Sequence, residues 1–463
     1  MWGDFTELIK KFGRKKDVDM TQGNIIRHLI SFALPLFIGN IFQQLYNTVD
    51  TWVVGNYVSN EAFSAVGSVT PIINLLIGFF MGLSTGAGVV ISQYYGARNY
   101  DRVRDTVHTS LTMTVILGML FTAIGIAMVP MMLNLMNTPD EVVPEAVTYL
   151  TIYFAGVAGL MIYNIGSGIL RAIGDSTRPF YFLVVSAVMN IVLDLVFVLV
   201  FKMGVAGVAY ATIISQAVSA LLVIIVLLRT DTCVKLELGK LKINWEMIQK
   251  ILKIGIPAAL QMAITSFSNV FVQSYMNHFG ADAMGGWTAY SKIDHFLLLP
   301  MQSLSLAVTT FVGQNLGVNQ SERARKGANT ALLVALGISI TISVPIVIFA
   351  PYLVTFFNDK PEVIEYGTTL IHCITPIHAV SCINQIYSGA LRGAGNSRAP
   401  MIVMLLSFVL FRQCYLFVTA NFICNEFIPI SMGYPAGWMI CSILMFIYYK
   451  RTNLSLSRVV EDK

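Results

Sequence analysis

Charge is scarce in this sequence. Asp, Glu, Lys and Arg make up 12% of its 463 residues, where a soluble domain of ordinary composition carries about a quarter. A long chain with half the usual charge cannot turn most of its surface to water, which excludes an ordinary soluble enzyme or binding module. The roughly ten-residue alternating segments of a transmembrane barrel are missing too. Six cysteines (Cys233, Cys373, Cys382, Cys414, Cys424, Cys441) include no CxxC pair. Most lie in apolar segments, so they are expected as small buried hydrophobes without disulfides. No Cys or His shows metal-ligand spacing, so no metal cofactor is expected. There is no HExxH or P-loop, and the longest polar segment, Arg229 to Lys250, is too short for an ATPase domain. An enzyme is not expected, and nothing points to nucleic acid. Residues 1–20 mix Lys10, Lys11, Arg14, Lys15 and Lys16 with acids and hold no apolar h-region. They predict a short amphipathic tail, not a cleavable signal peptide.

What the chain does have is apolar length. Its mean hydropathy is +0.69 and 56% of its residues are hydrophobic. No Asp, Glu, Lys or Arg falls from Ala62 to Ala97, from Thr106 to Pro139, or from Met203 to Leu228. A spanning helix needs about 20 predominantly apolar residues, and in hydrocarbon only a helix or a closed barrel satisfies the backbone. Twelve spans are predicted, near 28–52, 62–92, 106–132, 147–170, 179–201, 204–228, 251–277, 283–313, 327–355, 366–391, 399–421 and 427–449. Both tails and every even-numbered connection are basic, with Arg98, Arg102 and Arg104 in the first of these and Arg392 and Arg398 in the last. The odd-numbered connections hold only Lys202 and Lys360. The positive-inside rule then places both termini in the cytoplasm of a multi-pass cell-membrane protein.

The two halves repeat. Leu170-Arg171-Ala172-Ile173-Gly174-Asp175-Ser176-Thr177-Arg178-Pro179 recurs as Leu391-Arg392-Gly393-Ala394-Gly395-Asn396-Ser397-Arg398-Ala399-Pro400, an offset of 221 residues. The same offset pairs Gln93 with Gln314, Gly96 with Gly317, Arg102 with Arg323, Pro130 with Pro351, Asn137 with Asn358, and Glu141-Val142 with Glu362-Val363. With one residue inserted, Pro35 matches Pro257 and Asn47 matches Asn269. Six spans per half is an even number, so the repeats are parallel, as in transporters whose substrate path lies between the halves. The expected fold is therefore an all-α polytopic membrane protein, twelve transmembrane helices in two parallel pseudo-symmetric six-helix bundles. Its expected parts are a cytoplasmic tail (1–24), an N-terminal lobe of spans 1–6 (25–228), a cytoplasmic linker (229–249), a C-terminal lobe of spans 7–12 (250–450) and a cytoplasmic tail (451–463).

Several polar residues fall inside these spans. Asn40, Gln43, Asn47 and Asp50 step by three, four and three along span 1, making one polar stripe. Asn190 and Asp194 share a face of span 5. A charged side chain at the bilayer centre costs at least about 2.5–3.5 kcal/mol, so these groups should face a bundle interior and mark an ion or proton path. Asp50 lies 23 residues beyond Arg27 and Asp194 lies 16 beyond Arg178, roughly 35 and 24 Å of helix. Both fall towards the outer side of one half, where they could meet. Two carboxylates in a poorly solvated pocket resist double ionisation, so a proton could be taken up outside and released inside. The same oxygens, with Asn190 and Thr212, could instead hold Na⁺. For Asn40, Gln43, Gln44 and Asn47, hydrogen-bonded glue between helices is an equal reading.

The motifs together resemble the multidrug and toxin extrusion (MATE) family. The resemblance rests on Pro35 through Gln43-Gln44-Leu45-Tyr46-Asn47-Thr48-Val49-Asp50 to Gly55, on Gln93-Tyr94-Tyr95-Gly96-Ala97 with its copy Gly313-Gln314-Asn315-Leu316-Gly317, on the two Leu-Arg-x-x-Gly-[Asp/Asn]-Ser loops, and on Asn190-Ile191-Val192-Leu193-Asp194. It covers the chain from about Thr21 to Tyr449 and looks most like the bacterial branch with a cation site in the N-terminal half. It implies an antiporter that exports amphipathic, often cationic organic compounds in exchange for H⁺ or Na⁺ by rocking between inward- and outward-open states. It also implies a coupling site at Tyr46, Asp50, Asn164, Asn190, Asp194 and Thr212. No obligate protein partner and no cofactor beyond the coupling ion are expected.

The other half departs from the family pattern. Where some members carry an acid in span 7, this chain has Gln261, Thr265, Ser266 and Asn269, so no cation site of that kind is expected. That half offers Lys292, Asp294 and His295 in span 8, His372 and His378 in span 10, and Arg412 in span 11. Lys292 and Asp294 point to different helix faces, and a structural ion pair or a substrate role is open for each. The histidines are expected to be structural. Asn47, Gln43, Lys292, Asp294, Arg412 and Tyr290 are the candidates for a substrate path or lobe interface. Tyr153, Met161, Tyr163, Phe267, Tyr290 and Phe296 are candidates for an adaptable drug cavity. Competing functions are a flippase for lipid-linked saccharides, for which Lys292 and Arg412 are thin support, and a channel or receptor, for which no filter is visible.

Overall fold

A computed structural model describes residues 18–460 apart from Asn137, and for Asn60 the backbone only. The predicted basic tail over residues 1–17, the last three residues and the Asn137–Asn358 pair lie outside the described residues. Every regular element described is helical, as the absence of any other backbone partner in hydrocarbon requires. In order these are α1 (Ile25–Tyr57), α2 (Asn60–Gly96), α3 (Tyr100–Leu135), α4 (Val143–Ala172), α5 (Thr177–Val200), α6 (Gly204–Arg229), α7 (Trp245–Asn277), α8 (Ala281–Gly317) and α9 (Ser321–Ile348). They continue as the short α10 (Ala350–Thr355), then α11 (Pro361–Ile374), α12 (His378–Gly393), α13 (Arg398–Ile423) and α14 (Phe427–Arg451).

Among the described residues, 11 helices are long and apolar enough to cross a membrane. The remaining expected span, the tenth (366–391), is cut into α11 and α12 by a tight turn over Thr375–Ile377. Pro376 has no N–H to donate and its ring crowds the preceding turn. Composition alone could not show this break, because the apolar run continues through it. Nor are the cysteines uniformly buried: Cys382 and Cys441 are, whereas Cys414 is exposed and the other three are half-buried. Cys414 lies on an outward face of α13, where an apolar span supplies hydrophobic surface without a core.

The chain forms two compact units. One contains Ile38–Gly255; the other contains Met20–Phe37 with Ile256–Lys463. The division between them falls inside α1 and α7. The reason lies in the side chains: Leu29, Phe32, Ala33 and Leu36 join the same core as Trp287, Phe311 and Leu391, whereas Val53 and Val54 join Phe80, Val129 and Phe154. Part of the linker is docked. His108 Nε2 accepts the Glu237 N–H at 3.1 Å while Nδ1 reaches the Arg104 carbonyl at 2.7 Å.

The duplicated loop motif can be read residue by residue. Arg171 donates to Ser84 Oγ at 3.3 Å, and Ser84 Oγ donates to the Asn164 carbonyl at 2.6 Å. The other unit repeats both bonds at the same offset: Arg392 to Ser305 Oγ at 3.0 Å, and Ser305 Oγ to the Gln385 carbonyl at 2.7 Å. Gly174 and Gly395 turn the chain with φ of 89° and 94°, a conformation that only glycine adopts without cost. Asp175 then caps α5 by accepting the Thr177 and Arg178 N–H groups at 3.1 Å, and Asn396 caps α13 by accepting that of Ala399 at 3.1 Å. The motif is thus a strap between helices, a turn and a cap.

The strap needs close approach. A Cβ at Gly168 would stand 2.4 Å from Ser84 Oγ, and one at Gly389 would stand 2.6 Å from the Ser305 carbonyl, whereas nothing lies within 4 Å of Gly67 or Gly337. Gly168→Ala and Gly389→Ala should each cost about 1–3 kcal/mol. Melting of the purified protein in detergent should show this as a lower Tm, with Gly67→Ala and Gly337→Ala unchanged or slightly higher.

Candidate functional site

In the N-terminal unit, α1 delivers Asp50 and α5 delivers Asn190 and Asp194 to one pocket. The Asp50 and Asp194 carboxylates lie against one another, and the Asn190 amide lies against Asp50. Exposure is 7% for Asp50, 2% for Asn190 and 0% for Asp194. Asp50 Oδ1, both carboxylate oxygens of Asp194 and both amide atoms of Asn190 are buried without a hydrogen-bond partner among the described residues. Immediately beyond Asp194 and Leu195 the helix widens into a π turn over Val196–Val200, an irregularity that recurs at functional sites. Three tyrosines wall the pocket. Tyr149 and Tyr153 stack at 6.4 Å with their planes 16° apart, and Tyr46 completes the group beside Asp50 and Gln43.

The other expected members are placed less favourably. Thr212 is buried, and its hydroxyl donates to the Val208 carbonyl of its own helix at 3.0 Å. Asn164 donates to the Leu160 carbonyl at 2.9 Å, and its own carbonyl is taken by Ser84. It therefore belongs to the strap. Gln43 is half-buried and Asn47 is exposed, so the polar stripe of α1 is buried fully only at Asp50.

The C-terminal unit has an open cavity of about 260 Å³, lined in part by Asp294, Tyr290, Arg412, Asn269, Asn384 and Trp438. Asp294 faces the His378 ring, with Oδ1 3.7 Å from Nε2. Arg412 follows directly on a π turn over Leu405–Phe411. Its guanidinium lies between two rings, 4.4 Å from the centroid of Phe408 and 4.6 Å from that of Tyr434. Its Nη1 donates to Ser268 Oγ at 3.3 Å and to Asn269 Oδ1 at 3.2 Å.

Lys292 is exposed and takes no part in this cavity, so Asp294 finds its basic neighbour in His378. Phe267 and Phe296 also lie on the surface, and Tyr163 donates to the Pro179 carbonyl at 3.2 Å. Of the six residues expected in an adaptable drug cavity, Tyr290 alone lines this one. Sequence reasoning did not single out Tyr149, although its spacing of four from Tyr153 puts both on one helix face. The pairing of His378 with Asp294 left no local signal, because the two lie 84 residues apart.

A family model described as MatE matches residues 35–196 and again residues 257–415. The probable multidrug resistance protein YpnP of Bacillus subtilis (strain 168) is 28% identical over 448 residues, 97% of this chain and 100% of that protein. The multidrug export protein MepA of Staphylococcus aureus (strain MW2) is 22% identical over 383 residues, 82% of this chain and 84% of that protein. Among solved structures, a MOP superfamily transporter from Pyrococcus furiosus Vc1 (DSM3638) superposes with a TM-score of 0.89 at 24% identity, over 94% of this chain and 97% of that one. That likeness bears on the fold.

Two unpartnered carboxylates pressed together are a stability liability. At alkaline pH, Asp194→Asn should raise the Tm of the purified protein, worth about 1–3 kcal/mol, because the new amide can donate to Asp50. A lower Tm would show that the two acids are not strained against each other.

Proposed function

Because the chain belongs to the MATE family of multi-pass membrane transporters, we propose that it is an antiporter exporting amphipathic, cationic organic compounds in exchange for protons. The family's members are transporters, not enzymes, and act on small molecules across a lipid bilayer. The observation that carries the coupling reading is the buried contact between Asp50 and Asp194, in which Asp50 Oδ1 and both Asp194 oxygens have no hydrogen-bond partner among the described residues. Two like charges so placed resist simultaneous ionisation. One proton held between them is then taken from one side of the membrane and given up to the other as the transporter alternates its access. The tyrosine wall limits water and raises the cost of leaving the pair doubly charged.

Na⁺ is the second reading. A bare cation needs several oxygen lone pairs around it. The two carboxylates and Asn190 supply some of them, and Thr212, which gives its hydroxyl hydrogen to its own helix, keeps an oxygen free to accept a cation. The lopsided distribution of Lys and Arg supports an orientation with both termini in the cytoplasm of the cell membrane.

The test is efflux of a fluorescent organic cation from proteoliposomes under an imposed pH gradient and, separately, under a Na⁺ gradient. The wild-type protein should transport under the pH gradient, and Asp50→Asn and Asp194→Asn should each fall to the rate of protein-free liposomes. Transport under the Na⁺ gradient alone would replace the proton with Na⁺ at the same residues. Full activity in both variants would move coupling out of this pocket. If neither gradient moves a cation, lipid-linked saccharides become the substrates to assay.

A further inference from the structure

The cavity in the C-terminal unit is lined by two buried ionisable side chains of opposite type that form no ion pair with each other. Arg412 is 1% exposed and Asp294 is 6% exposed, and both line the same space. Asp294 lies beside the Tyr290 hydroxyl of its own helix and faces His378 at 3.7 Å, and Arg412 has no carboxylate within ion-pair distance among the described residues. A buried charge without a partner is among the most costly arrangements a protein can hold. One such charge could be an accident of packing. Two of opposite sign on one cavity form a dipolar receptor.

Arg412 is fixed without being satisfied. The rings of Phe408 and Tyr434 hold its plane, and a Cβ at Gly437 would stand 2.7 Å from its Nε. Its two hydrogen bonds both leave through Nη1 and both end on neutral oxygens, while Nε has no partner. A guanidinium locked in this way is preorganised for a planar anion such as a carboxylate. Asp294 Oδ1 is likewise buried without a hydrogen-bond partner among the described residues, with the Tyr290 hydroxyl beside the same carboxylate. A simple organic cation would meet Arg412, and a simple anion would meet Asp294. Only a ligand carrying both charges relieves both. The aromatic walls favour an aromatic body, and a volume of about 260 Å³ falls just under the range of about 300–1,000 Å³ usual for small-molecule sites.

We propose that this cavity binds a compact aromatic zwitterion, its carboxylate on Arg412 and its ammonium on Asp294. The proposal goes beyond the exporter reading. Binding needs no ion gradient and uses neither Asp50 nor Asp194, so either reading can fail alone.

The experiment titrates purified full-length protein in detergent and follows tryptophan fluorescence, since Trp438 lines the cavity. The probes are L-phenylalanine and glycyl-L-phenylalanine, two zwitterions of different charge separation. L-phenylalanine methyl ester presents the cation alone and N-acetyl-L-phenylalanine the anion alone. One zwitterion should bind about tenfold or more tighter than both single-charge probes. Arg412→Gln should reduce it to the level of the ester, and Asp294→Asn to that of the N-acetyl compound. The proposal is overturned if neither zwitterion gives a saturable signal, if all four probes bind alike, or if variants that melt like wild type bind unchanged. Should both variants fail to fold, the ranking of the four probes on wild type decides the matter alone.

Discussion

Hydrocarbon has no hydrogen bond to give, and polar groups within the spans must find partners inside the protein. The small hydroxyls solve this locally: Ser110, Thr114 and Thr212 each donate to the carbonyl four residues back, at 2.7, 2.7 and 3.0 Å. Asn164 does the same at 2.9 Å, whereas the long arginines reach another helix. Arg171 and Arg392 do so through Ser84 and Ser305, at the polar ends of the helices. Against this background, the pocket around Asp50 and the cavity around Arg412 stand out. There the same solvent constraint has been left unmet, which is the mark of a site and not of a core.

The duplication sharpens that contrast. Both units keep the strap, the glycine turn and the cap at a constant offset, so the mechanical parts are common to the two. The ionisable parts are not. By the same register Asp194 corresponds to Tyr415 and Asp294 to Ile73, so each unit has its own chemistry on shared hardware. A strap that holds helices together constrains both copies equally, whereas charges inside them are free to diverge with the task.

Much of this was legible in the sequence, for reasons that also set the limit. Length and charge placement reveal spans because the bilayer fixes both, and an offset of 221 residues reveals a repeat whatever its fold. Asp50 and Asp194 stood out because a carboxylate in an apolar run is expensive enough to need a reason. Helical periodicity assigns a residue to a face but cannot say which helix that face meets. That is why Asn164 belongs to the strap, why Lys292 points away from Asp294, and why the partnership with His378 came only from the structure. The break at Pro376 escaped for the converse reason: hydropathy averages over a window and does not register a single missing N–H.

The meeting of Asp50 with Asp194 also has a consequence for how the protein is made. The two residues are 144 positions apart, and at about 5–20 residues per second a ribosome needs roughly 7–30 seconds to travel between them. Throughout that interval α1 must be accommodated with its acid unmatched, held at the edge of the insertion machinery or tilted so that Asp50 stays wet. Helix α1 is therefore among those that cannot settle until α5 has arrived, and assembly of the N-terminal unit is paced by translation.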